Sequence, residues 1–419
     1  MKKATAIMFV LLATLCILYG CQTGETASSI TSEKAISGGD EAGETKLILW
    51  CYYEGSDRFQ KIQTIISRFN TLNDDIQVTP EYLPFADFNK QLVIGYASGR
   101  APDLAIIDNP VLAGFASEGM LEDLTDRIKG RIDSSLYFPA PWESCIYKSR
   151  VYGLPLGNNC LALFYNKDIL SKAGLKPPKN WSELEKAARE LTAGERFGLG
   201  ITATLDEQGT FAFLPWMLST GASLDRFDSP ESVKALDFLS GLIKEGSMSR
   251  DILNWTPSDV LQQFIAGKIA MMVNGSWQIP ELEARAPDLK YGVVDIPEDK
   301  KHVSVLGGEN IVAISGPNSD KALKVLLFFE ESSNLSYFSI NFGYIPPRKD
   351  IASGSYWSDD PVWKVFKENV ERSVPRGPDL KWPEKSRIIV GAFQGVLSNE
   401  ESPLEAARNA QSKLEKVTG

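Results

Sequence analysis

The sequence predicts an α/β protein built as two doubly wound lobes. Three observations carry this. The chain has 419 residues, more than one ordinary hydrophobic core accommodates. Between Leu47 and Ile107, short apolar runs alternate with apolar residues at helical spacing. That strand–helix–strand–helix–strand order is the pattern of a parallel sheet with covering helices. From Val151 to Ile296 a second α/β alternation follows.

The first 20 residues predict a targeting segment. Lys2 and Lys3 precede an apolar run, Ala4 to Tyr19. That run is shorter than the about 20 residues a spanning helix needs. It ends Leu18-Tyr19-Gly20-Cys21, which resembles a bacterial lipobox, although Tyr19 stands where a small residue is usual. The resemblance implies a signal peptide over 1–20 and lipidation of Cys21. Ordinary cleavage to an unanchored product is the alternative. Residues 21–45 are rich in Ser, Thr, Gly, Glu and Ala, cannot bury a core, and read as a flexible tether.

The folded body then starts near Lys46. Leu47–Trp50 is a buried strand, followed by a loop through Tyr53, Glu54 and Gly55. Phe59, Ile62, Ile65, Ile66 and Phe69 mark the inner face of a helix. Ile76, Val78 and Tyr82 make a second strand; Phe88, Leu92 and Tyr96 a second helix, stopped at Gly99. Leu104–Ile107 is a third strand, ending at Asp108-Asn109.

Further along, Leu161–Tyr165 and Phe197–Ile201 read as strands. Asn180-Trp181-Ser182-Glu183 reads as a capping box opening a helix. Helices are expected around Phe211–Leu218 and Ser232–Lys244. Thr256-Pro257-Ser258-Asp259 is a helix start, with an N-cap, a proline at the first position and an acid near the positive end. Gly267 stands at the C-terminus of that helix. Ile269–Val273 is a strand buried on both faces, broken by Asn274-Gly275-Ser276, and Trp277 follows at once. A helix opens at Pro280-Glu281. Tyr291–Ile296 is strand-like again. Gly307-Gly308-Glu309 reads as flexible punctuation before Ile311–Ile314, Leu323–Phe329 as a helix, and Gly343 to Arg348 as a second break. Trp277 thus lies at the edge where open α/β sheets bind ligands, although core packing between strand and helix fits the same position.

The stretch Gly267–Trp277 resembles the signature of the extracellular solute-binding proteins, family 1. The likeness extends in order through Ala101-Pro102-Asp103, Tyr152-Gly153-Leu154-Pro155, Tyr165-Asn166-Lys167, Pro177-Pro178 before Trp181, Gly307-Gly308 and Gly343 with Pro346. It implies a type II periplasmic-binding-protein fold with a hinge between the lobes. Crossings are then expected near Leu156–Asn159, Leu306–Glu309 and Pro346–Lys349. The lobes would comprise 46–156 with 308–346, and 157–307 with 347–419. The implied function is that of a monomeric sugar receptor, anchored by lipid to the membrane and serving the permease subunits of an ABC importer.

A sugar offers apolar ring faces edged by hydroxyls, so its site needs aromatic planes with amides, carboxylates or guanidinium groups. The candidates are Trp277 and Trp216 as stacking residues, Tyr53 and Glu54 after the first strand, and Asp108 and Asn109 after the third. Asn158 and Asn159 lie on the first crossing, and Gly308, Glu309 and Asn310 on the second. Arg348 and Trp382 complete the set. For Trp216, core packing is the competing role; for Arg348, a hinge or surface position is.

Composition narrows the other classes. A net charge of −10 argues against nucleic acid as a partner. The single histidine, His302, excludes a multi-histidine metal site, and no cofactor motif is present: Gly198-Leu199-Gly200 lacks the third glycine of a dinucleotide loop. A glycosidase would need two carboxylates about 5–10 Å apart, which the 54 acidic residues could supply without any motif marking them. A surface glycan-binding protein without a transporter is the remaining alternative. Cys51, Cys145 and Cys160 leave at least one free thiol, with Cys145–Cys160 a conceivable pair.

Overall fold

The structure is a computed structural model and describes residues 44–53 and 56–418. Cys21 and Glu54 lie outside the described residues. Eleven strands are described: β1 (Thr45–Cys51), β2 (Ile76–Tyr82), β3 (Leu104–Asp108), β4 (Ile146–Tyr147), β5 (Arg150–Val151), β6 (Leu154–Asn159), β7 (Leu161–Asn166), β8 (Phe197–Gly200), β9 (Ile269–Gly275), β10 (Tyr291–Val294) and β11 (Gly307–Ala313). They form two main sheets, ordered β2-β1-β3-β11-β6 and β10-β7-β9-β8, with β4 and β5 as a separate hairpin. The fold is that of two α/β lobes.

The first sheet begins as the sequence predicts. β1 is parallel to β2, from Thr45 opposite Ile76 to Cys51 opposite Tyr82, and parallel to β3 on its other side. The helices Ser56–Leu72 and Phe85–Ala97 are the crossovers. β11 departs from the parallel expectation: it runs antiparallel to both β3 and β6. The second sheet is mixed as well, with only β8 parallel to β9. β6 passes into β7 across Cys160 alone and thereby changes sheet, and β11 enters the first sheet from β10 through residues 295–306 without a crossover helix.

β7, β9 and β11 are buried along almost their whole length, which explains their near-continuous apolar runs. One hydrophobic cluster spans Leu47 to Leu156 and Ile311 to Tyr344. A second spans Leu161 to Val305 and Trp382 to Leu414. A third gathers Phe138, Cys160 and Phe164 with Trp357, Trp363 and Phe366. Cys51, Cys145 and Cys160 are buried free thiols, so the conceivable Cys145–Cys160 pair is not formed. Among the described residues, no helix is long and apolar enough to cross a membrane.

Two local expectations need correction. Gly307-Gly308-Glu309 is part of β11, not a flexible break. Gly308 has φ +126°, and a Cβ there would lie 2.2 Å from the Gly157 carbonyl oxygen. Only glycine lets the two backbones pair at that distance. The Asn274-Gly275 pair likewise extends β9 rather than ending it. Asn274 spends its side chain on the adjacent Gly275 N–H and on the Pro257 carbonyl, tying the end of the strand to the helix Pro257–Ile265. That helix carries the full capping box between Thr256 and Asp259.

Candidate functional site

The C-terminal end of β3 and the start of β11 meet at one edge of the first sheet, where Asp108 lies opposite Glu309. Both side chains are buried. At the matching edge of the second sheet, β9 delivers Gly275, Ser276 and Trp277. Trp277 is the middle residue of the short turn Ser276–Gln278, which leads into the helix Ile279–Arg285, begun one residue before Pro280. Its indole folds back over its own strand, so that a Cβ on Gly275 would fall 1.8 Å from ring carbon Cζ3. The half-buried ring touches the first and second clusters alike. The Phe211 ring lies 6.3 Å from it, tilted by 30°. Arg58, near the start of the Ser56–Leu72 helix, donates from Nη2 to the Trp277 carbonyl oxygen.

Around Glu309 stands a group of tyrosines. Glu309 Oε1 accepts from Tyr344 OH at 2.9 Å and Tyr52 OH at 3.4 Å, while Oε2 is buried without a partner. The Tyr53 hydroxyl is also buried and unpartnered. So are Ser276 Oγ and Gln278 Oε1, which flank Trp277 in the chain. Burial, and then the nearby Asp108 charge, push the Glu309 carboxyl up to about 8, against the Tyr344 hydrogen bond and the positive charges of Arg58 and Arg376.

Beside this group lies an ion-paired one centred on Arg376. Its Nη1 and Nη2 donate to Asp108 Oδ2 and Oδ1 at 2.9 and 2.7 Å. Nη1 also reaches Glu207 Oε1 at 2.6 Å, and Nε the Leu306 carbonyl at 3.1 Å. The guanidinium carbon stands 4.6 Å above the Phe211 ring. Glu207 opens the helix Glu207–Ser219 and is further held by Trp382 Nε1 and the Ser386 hydroxyl. Burial keeps its carboxyl above the usual range in spite of Arg376. Asp108 is joined by Asn109, whose Oδ1 is 3.4 Å from Arg376 Nη2.

The structure therefore brings Trp277, Tyr53, Asp108, Asn109 and Glu309 to the facing sheet edges. Asn158 and Asn159 border them on β6, opposite Gly308 and Gly307. Asn158 bonds the Ile345 carbonyl through its backbone N–H at 3.0 Å, and so fastens the crossing strands.

Four candidates have other roles. Trp216 is wholly buried, packed on Trp181 and Phe238 in the second cluster, so it is a core residue. Trp382, 1% exposed, gives its N–H to Glu207 and offers no free ring face. Asn310 follows Glu309 on a strand, where alternate side chains point to opposite faces, and its amide bonds Ser144 instead. Arg348 bonds Asp350 and the Glu330 carbonyl, beside a separate cavity of about 420 Å³ lined also by Tyr137 and Leu327.

Sequence reasoning passed over Arg376, Glu207, Arg58, Tyr344 and Phe211. Arg376 stands between Pro375 and Gly377-Pro378, in a stretch with no periodicity to interpret. Glu207 follows the N-cap Asp206 and reads as a first-turn helix acid; Arg58 reads as solvated helix surface. Among the described residues, no three His, Cys, Asp or Glu side chains come together as a metal site.

The chain is similar to known solute-binding proteins over most of its length. The family described as bacterial extracellular solute-binding protein matches residues 64–364. A crystal structure of an ABC transporter solute-binding protein from Thermotoga lettingae, bound with α-D-tagatose, superposes with a TM-score of 0.84. It is 30% identical, and the match covers 90% of this chain and 100% of that one. The maltotriose-binding protein of Pyrococcus abyssi is 24% identical over 85% of this chain and 78% of its own length. The sn-glycerol-3-phosphate-binding periplasmic protein of Brucella suis is 24% identical over 92% of this chain and 96% of its own.

Proposed function

The chain belongs to the bacterial extracellular solute-binding proteins, and from that premise we propose that it is the substrate-binding component of an ABC importer for a carbohydrate. One observation carries the ligand class: the half-buried Trp277 ring contacts both cores at the end of β9, and at the end of the first sheet Glu309 Oε2 and the Tyr53 hydroxyl lack protein partners. An aromatic plane together with unpaired hydroxyl and carboxyl oxygens is what a sugar ring needs. The tagatose-bound and maltotriose-binding relatives support the same class. Trp277, Tyr53, Glu309, Asp108, Asn109, Asn158 and Asn159 are the proposed ligand residues.

The proposed lobes are 46–156 with 308–346, and 157–307 with 347–419; the chain leaves the first sheet after Asn159 and re-enters it at Gly307, within three residues of two of these boundaries. Ligand is held between the lobes and released to the permease without chemical change. Cys21 is the proposed lipid attachment point: cells fed a clickable fatty acid should label the wild type and not Cys21→Ser. The decisive experiment for the ligand is a thermal-shift screen against sugars that include D-tagatose and maltotriose. A ligand at a hundred times its Kd stabilises by about 2.7 kcal/mol, a readily measured shift. If no carbohydrate raises the melting midpoint, the proposal is wrong.

A further inference from the structure

Arg58 is a cation in the first turn of the helix Ser56–Leu72, where the positive end of the helix disfavours it. Its neighbour Asp57 pairs with Lys61 at 2.7 Å instead, and among the described residues no acid forms an ion pair with Arg58. The guanidinium is spent on one hydrogen bond, to the Trp277 carbonyl. The same turn meets a second group. Gly343, in left-handed conformation with φ +74°, caps the helix Ser332–Phe342. A Cβ on Gly343 would lie 2.6 Å from the Ser276 carbonyl oxygen, 2.8 Å from Trp277 Cα and 2.9 Å from Pro280 Cδ. The turn therefore rests directly on backbone, at a distance only glycine allows. Lys61 Nζ reaches the Asn341 carbonyl at 3.3 Å and ties together the two helices whose ends supply Arg58 and Gly343.

We propose that Arg58 and Gly343 are the positioning residues of Trp277. They form a seat on the first lobe that receives the turn Ser276–Gln278 of the second, fixes the indole at the cleft, and holds the lobes together. This rests on the proposed lobe division and on the ligand role of Trp277. The seat is built from protein atoms alone, so it favours the closed form equally whatever the cleft contains. Loosening it lowers the closed fraction, and the apparent affinity for every ligand falls by that one factor. A residue that touched the ligand would instead weaken different sugars unequally.

The test uses three variants of the full chain. Arg58→Met keeps the apolar stem and removes the donor. Arg58→Lys returns a cation and a donor, which suffices for a single bond that needs no planar fork. Gly343→Asn tolerates the left-handed backbone and adds the Cβ. Small-angle scattering without added sugar should give a larger radius of gyration for Arg58→Met and Gly343→Asn, and nearly the wild-type value for Arg58→Lys. Calorimetric titration with D-tagatose and with maltotriose should show Arg58→Met weakening both by the same factor, about tenfold. Melting curves establish that each variant folds; if Gly343→Asn does not, Arg58→Met decides alone. An unchanged radius of gyration in Arg58→Met, or unequal losses for the two sugars, overturns the proposal. Where fewer than two sugars bind the wild type, scattering alone decides the seat, and failure of every sugar to bind overturns the carbohydrate reading separately.

Discussion

Arg376 and Asp108 form a two-bond fork, at 2.9 and 2.7 Å, between a loop that precedes the Trp382–Leu397 helix and the end of β3. The same guanidinium bonds Glu207 on the second cluster's helix Glu207–Ser219. One buried cation thus joins an acid at the first sheet to an acid at the opposite side of the cleft. Planar fork geometry is what arginine supplies and lysine does not.

Arg376→Met should therefore destabilise the protein by about 3–5 kcal/mol, because it leaves two buried carboxylates without their cation. Small-angle scattering of the same variant should show an increased radius of gyration. A denaturant melt indistinguishable from wild type would mean that the ion pairs contribute nothing.

Acid–base behaviour gives a second prediction. Glu330 is buried against Tyr137, and burial pushes its carboxyl from 4.5 up to about 8, with Tyr137 and Arg348 pulling the other way. Glu309 behaves alike. The folded protein holds these two protons more tightly than the unfolded chain does. Their contribution is therefore complete below about pH 4.5 and is lost as pH rises toward 8, at up to about 1.4 kcal/mol per pH unit for each proton. Glu330→Gln should flatten the fall in stability over that interval. A slope unchanged in this variant would show that Glu330 is ionised at neutral pH.

Trp277→Ala should cost about two orders of magnitude in ligand affinity, combining an aromatic contact of about 1 kcal/mol with roughly 2 kcal/mol of lost apolar burial. Binding calorimetry and a melt on one sample separate this from a packing role. Full affinity with a lowered midpoint would remove Trp277 from the site.

Gly275→Ala offers a test that leaves the indole in place. The new methyl group would overlap the Trp277 ring, so the ring must swing away. Affinity should fall as in Trp277→Ala, and tryptophan emission should shift. Retention of both would mean that the ring does not rest over Gly275.

Trp216→Ala should behave in the opposite way. The residue is wholly buried in the second cluster, so its removal should cost about 3–5 kcal/mol of stability. Ligand affinity of the remaining folded fraction should stay within a few-fold. A selective loss of affinity would return Trp216 to the cleft.

The strands were legible where periodicity was unambiguous: β1, β2, β3 and β9 follow from apolar runs bounded by Gly, Pro and Asn. β11 was half-legible, because Gly307 and Gly308 read as loop until their close approach to β6 is seen. For the candidate site, chain-end logic pointed to Asp108 at the end of β3, to Glu309 near the start of β11 and to Trp277 just past β9. It could not find Arg376, whose role depends on acids 169 and 268 positions away along the chain. It also misplaced Trp216 and Trp382, because composition does not distinguish an aromatic that faces a cleft from one that fills a core.

The place of β11 also bears on how the polypeptide reaches this form. It lies between β3 and β6, yet β7, β8, β9 and β10 all precede it in the chain. A nascent chain that has emerged only as far as Leu306 carries every other strand of the first sheet and still cannot close it. β3 and β6 would each present a bare hydrogen-bonding edge, open to association with other chains. The amino-terminal half is thus not an independent folding unit, and its completion awaits a segment from beyond the second sheet, which raises the contact order and slows assembly.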